Sequence, residues 1–158
     1  MIEDGEISVR SATNADGEKV KTLVFGVLRE YGLESDPDGT DADLNDIEAG
    51  YINAGGLFEI LEDARGNLLG TVGLFPIDAE TVELRKMYFD KSLRGRGFGK
   101  KTLERMIEQA RELKFKRIYL ETASVLKEAV GLYEKYGFKP TLDGMHSKRC
   151  DAAYFLDL

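Results

Sequence analysis

The sequence predicts a single α/β (α+β) domain, residues 1–158, with a mixed, mainly antiparallel sheet of about seven strands flanked by about four helices. Three observations predict it. Three extended apolar segments joined by short turn-forming stretches run consecutively between residues 57 and 89, as in an antiparallel meander. A glycine-rich basic turn follows and opens an amphipathic helix. That helix leads to another strand-like segment, and a helix between two strands of one sheet makes the pair parallel.

In chain order, Ile7-Ser8-Val9-Arg10 alternates apolar and polar residues, as a half-buried strand does. Asn14 or Asp16 can cap the following helix, where Val20, Leu23, Val24, Val27, Leu28 and Tyr31 form one apolar face and Gly32 supplies the stop. Residues 34–46 are acidic and rich in turn formers, a loop running into a short helix at about 42–50. Strands follow at 57–62, 68–75 and 81–89, with turns at 63–67 and 76–80. Leu103, Met106, Ile107, Ala110 and Leu113 define the inner face of the next helix. A strand at 116–122, a helix at 126–136 ended by Gly137, and a hairpin from Lys139 to a last strand at 152–158 complete the chain.

Composition narrows the function. The 158 residues are 42% hydrophobic, enough for one real core. A net charge of −7 argues against general nucleic-acid binding and leaves cationic amines as plausible partners. One cysteine, Cys150, excludes an intrachain disulfide and a cysteine-rich zinc site, and a single histidine, His146, gives no metal cluster. The acidic start, Met1 to Glu6, lacks the apolar core of a signal peptide, and the longest apolar stretch, 68–77, is too short to span a membrane. A soluble cytoplasmic protein without metal, nucleic-acid or membrane partner is the expectation, with a homodimer left open.

The chemistry concentrates at Leu93-Arg94-Gly95-Arg96-Gly97-Phe98-Gly99-Lys100, between a strand and a helix. The first amides of a helix lack intrahelical partners, and the macrodipole places about half a positive charge there. Gly95, Gly97 and Gly99 let the backbone approach an anion closely, while Arg94, Arg96 and Lys100 add full charges suited to a diphosphate. The spacing is not that of a P-loop, and its place in mid-chain after a meander is not that of a dinucleotide fold.

Arg94-x-x-Gly97-x-Gly99 resembles the Q/R-x-x-G-x-G/A signature of the GNAT superfamily, the acetyl-CoA-dependent N-acetyltransferases. The resemblance extends from the preceding strand to Gly131-Leu132-Tyr133-Glu134-Lys135-Tyr136-Gly137-Phe138. It implies that residues 94–100 hold the coenzyme A diphosphate, and that Met87, Tyr88 and Phe89 lie along the pantetheine arm, with Met87 and Phe89 as its backbone partners. An extended amide chain can bond to a strand edge as another strand would. Their side chains can fill core positions at the same time.

The resemblance also places Glu83 where histone-acetylating members carry their general base, and Tyr133 where the family has a tyrosine beside the coenzyme sulfur. An alkyl amine is almost wholly protonated at pH 7, and making it neutral costs roughly 4–5 kcal/mol, so a carboxylate that removes the proton has work to do. A phenol is protonated at neutral pH and can donate to a departing thiolate. Glu83 is equally compatible with a solvated sheet face, and Tyr133 with the core face of its helix. Leu126 departs from the family, which often has a polar asparagine there; Thr122 or Ser124 could take over that contact. The resulting expectation is direct transfer of acetyl from acetyl-CoA to a primary amine, on a small molecule or a peptide. The alternative is a coenzyme-binding regulatory module of the same fold without turnover. Residues 34–56 and the last hairpin would build the acceptor pocket, and no motif there names the acceptor.

Overall fold

The computed structural model describes residues 6–144 and 147–158. Seven strands, β1 (Ile7–Ser11), β2 (Leu57–Asp63), β3 (Leu68–Pro76), β4 (Thr81–Phe89), β5 (Arg117–Thr122), β6 (Lys139–Thr141) and β7 (Ala152–Asp157), form one sheet in the order β1-β2-β3-β4-β5-β7-β6. Every pairing is antiparallel except β4 with β5. Three α-helices, α1 (Gly17–Glu30), α2 (Phe98–Glu112) and α3 (Lys127–Lys135), and a π-helical turn at Glu48–Ile52 cover it. The expected meander and crossover are both present.

Local chemistry explains most boundaries. The Asp16 carboxylate accepts the Thr13 amide at 2.8 Å and two hydrogen bonds from Arg10, which ties the first turn before α1 to β1. Gly32, at φ +70°, lets the Leu33 amide reach back to the Leu28 carbonyl, a glycine stop that satisfies an otherwise orphaned acceptor. Asp63 gathers the amides of Arg65 and Asn67 and so closes the β2–β3 turn. The expected short helix at 42–50 is instead a 3₁₀ turn at Ala42–Asn45 followed by the π turn. The wider winding brings the Tyr51 ring, fully buried, edge-on to Phe58 and Phe75. Leu113, expected inside, caps the end of α2 and is 40% exposed.

The sheet divides two cores. Val72, Leu74, Val82, Leu84, Ile118 and Leu120 pack under α2 and α3 against Leu103, Met106, Ile107 and Tyr133. Phe58, Ile60 and Tyr51 pack on the other face with Val20, Val24 and Leu28 of α1. Fully burying one such side chain is worth about 1.5–3 kcal/mol, so these faces dominate the stability. Glu59, inside the sheet, is matched by a two-point contact from Arg105 of α2 at 2.7 and 2.8 Å.

Two irregularities create the site. β4 and β5 pair only at Thr81–Arg117, Val82–Ile118 and Glu83–Tyr119, then part. Between the pairs Gly73–Arg85 and Thr71–Tyr88, β4 carries one residue more than β3, a bulge. Lys86 lies in it at φ +58°. Side chains of a regular strand alternate between faces, but here Arg85 and Lys86 both reach the Asp43 carboxylate on the α1 side.

Candidate active site

Where β4 leaves β5, a cleft of about 1080 Å³ opens. It is lined by Glu83 to Phe89 of β4, by the turn before α2, by Thr122, Ala123, Val125 to Ala129, Leu132 and Tyr133 around α3, and by Ser147 to Cys150. Leu33, Asp36, Gly39 and Thr40 of the loop after α1 also line it, and the Thr40 carbonyl meets the Lys86 ammonium of β4.

The glycine turn lines the same cleft. Gly95 (φ +73°) and Gly97 (φ +83°) adopt conformations that L residues avoid, and a β-carbon on either would project into open space. The first hydrogen bond within α2 runs from the Lys101 amide to the Gly97 carbonyl, so the amides of Phe98, Gly99 and Lys100 precede it. The Phe98 side chain is buried under the turn with Leu93 and Leu61. Gly99 packs near Leu132 of α3 and Phe89 of β4, an approach that keeps the turn close to both walls.

The basic residues of the turn have distinct places. Arg94 donates to the Phe89 carbonyl at 2.9 Å and to the Glu30 carboxylate at 2.7 Å, joining the turn to the end of β4 and the last turn of α1. Arg96 donates to the Ser92 carbonyl and lies over the Phe98 ring, outside the cleft lining. Lys100 lines the cleft.

Tyr133 reaches the cleft from α3 and packs against Phe138 and Tyr154. Burial pushes its phenol well above the ordinary value, and neighbouring Tyr88 and Cys150 push it the same way, so it keeps its proton at any physiological pH. Glu83 is shielded from water except for 13% of its side chain. Burial raises its carboxyl, the Arg85 guanidinium at 2.8 Å draws it part of the way back, and Glu121 on β5 adds to the rise. Arg85 in turn stacks 3.8 Å from the Phe75 ring centroid.

Next to Arg85 lies a cluster that sequence reasoning missed. Asp41 is fully buried, accepts two hydrogen bonds from Arg149 at 2.7 and 2.8 Å, and pairs with the Lys86 ammonium at 2.9 Å. Asp43 pairs with Lys86 and Arg85 and accepts the Tyr51 hydroxyl. Burial alone would raise the Asp41 carboxyl, but Arg149 and Lys86 outweigh it and hold Asp41 well below the usual carboxylate range. The cluster joins the 33–45 loop, the β4 bulge and the segment before β7. Only the closely set acids of the loop hinted at it; the cationic partners of Asp41 lie 45 and 108 residues away in sequence.

Cys150 is half-buried and lines the cleft, and burial raises its thiol. Leu126 occupies the cap position of α3, Thr122 lines the cleft, and the Ser124 hydroxyl donates to Asp151. His146 lies outside the described residues. Among the described residues no group of three potential ligands could hold a metal, and no helix is long and apolar enough to cross a membrane.

The sheet opens beside a glycine-capped helix N-terminus, and Tyr133 and Glu83 line the cleft so formed. The chain belongs to the acetyltransferase (GNAT) family, whose pattern it matches over residues 24–138, and is accordingly an acetyl-CoA-dependent acyltransferase. It is 38% identical over 136 residues to YjgM of Escherichia coli, an uncharacterized N-acetyltransferase, across 83% of this chain and 81% of that one. An acetyltransferase of the GNAT family from Staphylococcus aureus shares the fold with a TM-score of 0.89 at 26% identity, covering 96% of this chain and 98% of that one. The Salmonella typhimurium protein yncA, at 18% identity, shares the fold with a TM-score of 0.74, covering 97% of this chain and 94% of that one.

Proposed function

We propose that this protein moves an acetyl group from acetyl-CoA to a primary amine by direct attack within the cleft between β4 and β5. One observation carries the reading: the unpaired edge of β4, the glycine turn and Tyr133 line a single cleft. Its shape suits an extended thioester with a diphosphate at one end, and the Salmonella typhimurium neighbour was solved with acetyl-CoA.

When bound, acetyl-CoA supplies the activated acetyl group. The amides of Phe98, Gly99 and Lys100, with the Lys100 charge, hold the diphosphate. Arg94 fixes the turn that presents them, in place of the direct phosphate contact its charge suggested. The backbone of Met87 and Phe89 holds the amide arm along the open edge, with Tyr88 behind it. The Met87 N–H polarises the thioester carbonyl, as an oxyanion site does. Glu83, made more basic by burial, accepts the amine proton directly or through one water. Tyr133, protonated throughout, donates to the departing sulfur. The acceptor enters between the 33–41 loop and the 147–150 segment, where Arg85, Asp36 and Glu121 offer charges of both signs.

Acetyl-CoA binding and free-thiol release, measured on one preparation across amines, amino acids and peptides, test the reading. Thiol release that depends on one amine establishes it and names the acceptor class. Binding with no release from any amine would favour the regulatory alternative.

A further inference from the structure

Lys86 holds a left-handed backbone, one of two such non-glycine residues among the described residues, and a side chain there pays a steric cost that surrounding contacts must offset. Its ammonium is anchored by Asp41 and Asp43. Its carbonyl accepts a 2.6 Å hydrogen bond from the Thr71 hydroxyl, and Thr71 is itself fully buried in β3 across from the bulge. The peptide from Lys86 to Met87 is trans, as all are among the described residues. In a trans peptide the C=O and the next N–H point in opposite directions. A carbonyl held toward β3 therefore turns the Met87 N–H away from β3, to the side where β4 and β5 have separated.

We infer that Thr71 is a positioning residue for acetyl transfer: its hydroxyl fixes the Lys86–Met87 peptide plane so that the Met87 N–H faces the thioester carbonyl. The Asp41–Lys86 pair clamps the same peptide through its side chain. The inference rests on the reading that Met87 donates to that carbonyl. Thr71 itself touches neither acetyl-CoA nor acceptor, and lies outside the cleft lining.

The test uses three replacements of similar size: Thr71→Ser keeps a hydroxyl donor, Thr71→Cys offers a weak one, and Thr71→Val offers none. Each is assayed below its melting temperature for acetyl-CoA affinity by calorimetry, for kcat by thiol release, and for the carbonyl stretch of bound acetyl-CoA labelled with carbon-13 at the acetyl carbonyl. The expected kcat falls in the order Ser, Cys, Val. Val loses on the order of 10- to 100-fold, while affinity stays within roughly threefold. The stretch, lowered on binding to the wild type, moves back toward the free value in the same order. A Val variant with wild-type kcat and stretch overturns the inference, and so does a Ser variant as impaired as Val, because packing would then explain the loss. A wild type that binds acetyl-CoA without any shift overturns it as well. A shifted stretch in a wild type that releases thiol with no amine overturns the acetyl-transfer reading alone.

Discussion

Replacing Asp41 by Asn removes one charge from a side chain with no solvent exposure, between an Arg149 side chain 10% exposed and a Lys86 side chain 4% exposed. The amide keeps one acceptor but turns an NH₂ toward cations that also donate, leaving buried charge unpaired. Breaking a buried pair in this way costs about 3–5 kcal/mol. Lys86 retains Asp43 at 3.4 Å, which places the expected loss near the lower end, about 3 kcal/mol. That is a large part of the roughly 5–15 kcal/mol that holds a domain together, and at about 2–4 °C per kcal/mol it lowers Tm by roughly 6–12 °C. Urea unfolding at pH 7 and scanning calorimetry measure both.

The pH dependence gives a second check on Asp41. Its folded pKa lies below the unfolded value, so its contribution is present above about pH 4, the unfolded carboxylate range, and is lost as pH falls toward the folded value. The stability gap between wild type and Asp41→Asn is therefore full at pH 7 and narrows below about pH 4. Adding Arg149→Met to Asp41→Asn removes one orphaned cation and should recover at least about 1 kcal/mol relative to additivity. A loss below about 1 kcal/mol at pH 7, the range of an exposed pair, would refute the claim that this cluster pins the 33–45 loop to β4. A gap that does not change with pH would refute its electrostatic origin.

Tyr133→Phe removes the proposed proton donor and keeps the ring packing, so kcat should fall about 100-fold or more while acetyl-CoA affinity by calorimetry stays unchanged; equal kcat would remove the acid role. Glu83 titrates above the ordinary carboxylate value, so the rate should fall with pH through that raised pKa as the base becomes protonated. In Glu83→Gln this acid limb of kcat/KM disappears and the rate drops by about 100-fold; a limb that persists assigns the base elsewhere. Gly97→Ala, at φ +83°, should cost roughly 1–2 kcal/mol of backbone strain in urea unfolding and weaken acetyl-CoA binding, since its β-carbon would stand in the space left open before α2. By contrast, Gly131→Ala, inside α3 with nothing within 4 Å of the added carbon, should stabilise the chain by about 0.5–1 kcal/mol.

Much of this protein was legible before any coordinate. Segment period and turn chemistry place β4 at 81–89 as expected, and the other strands and three helices within about two residues, because hydrophobic spacing and glycine stops act over a few residues. That the glycine turn and Tyr133 share one cleft accords with the sequence, where local backbone chemistry and a family motif coincide. The helix at 42–50 was misjudged because its winding is set by where Tyr51 must pack, against Phe58 and Phe75 of other elements. Leu113 kept the helical spacing of a core residue, but the helix ends there and the sheet no longer lies beneath it.

By itself the sequence determined the order of the elements, the crossover that makes β4 and β5 parallel, and the glycine turn that opens α2, since each follows from interactions between near neighbours in the chain. Tertiary structure alone decided where β4 and β5 part and how the extra residue at Lys86 turns its charge onto Asp41. It also decided that Arg94 serves the turn as a brace to Phe89 and Glu30. Those outcomes depend on register between strands and on charges that meet across long stretches of chain, and a linear pattern of side chains carries neither.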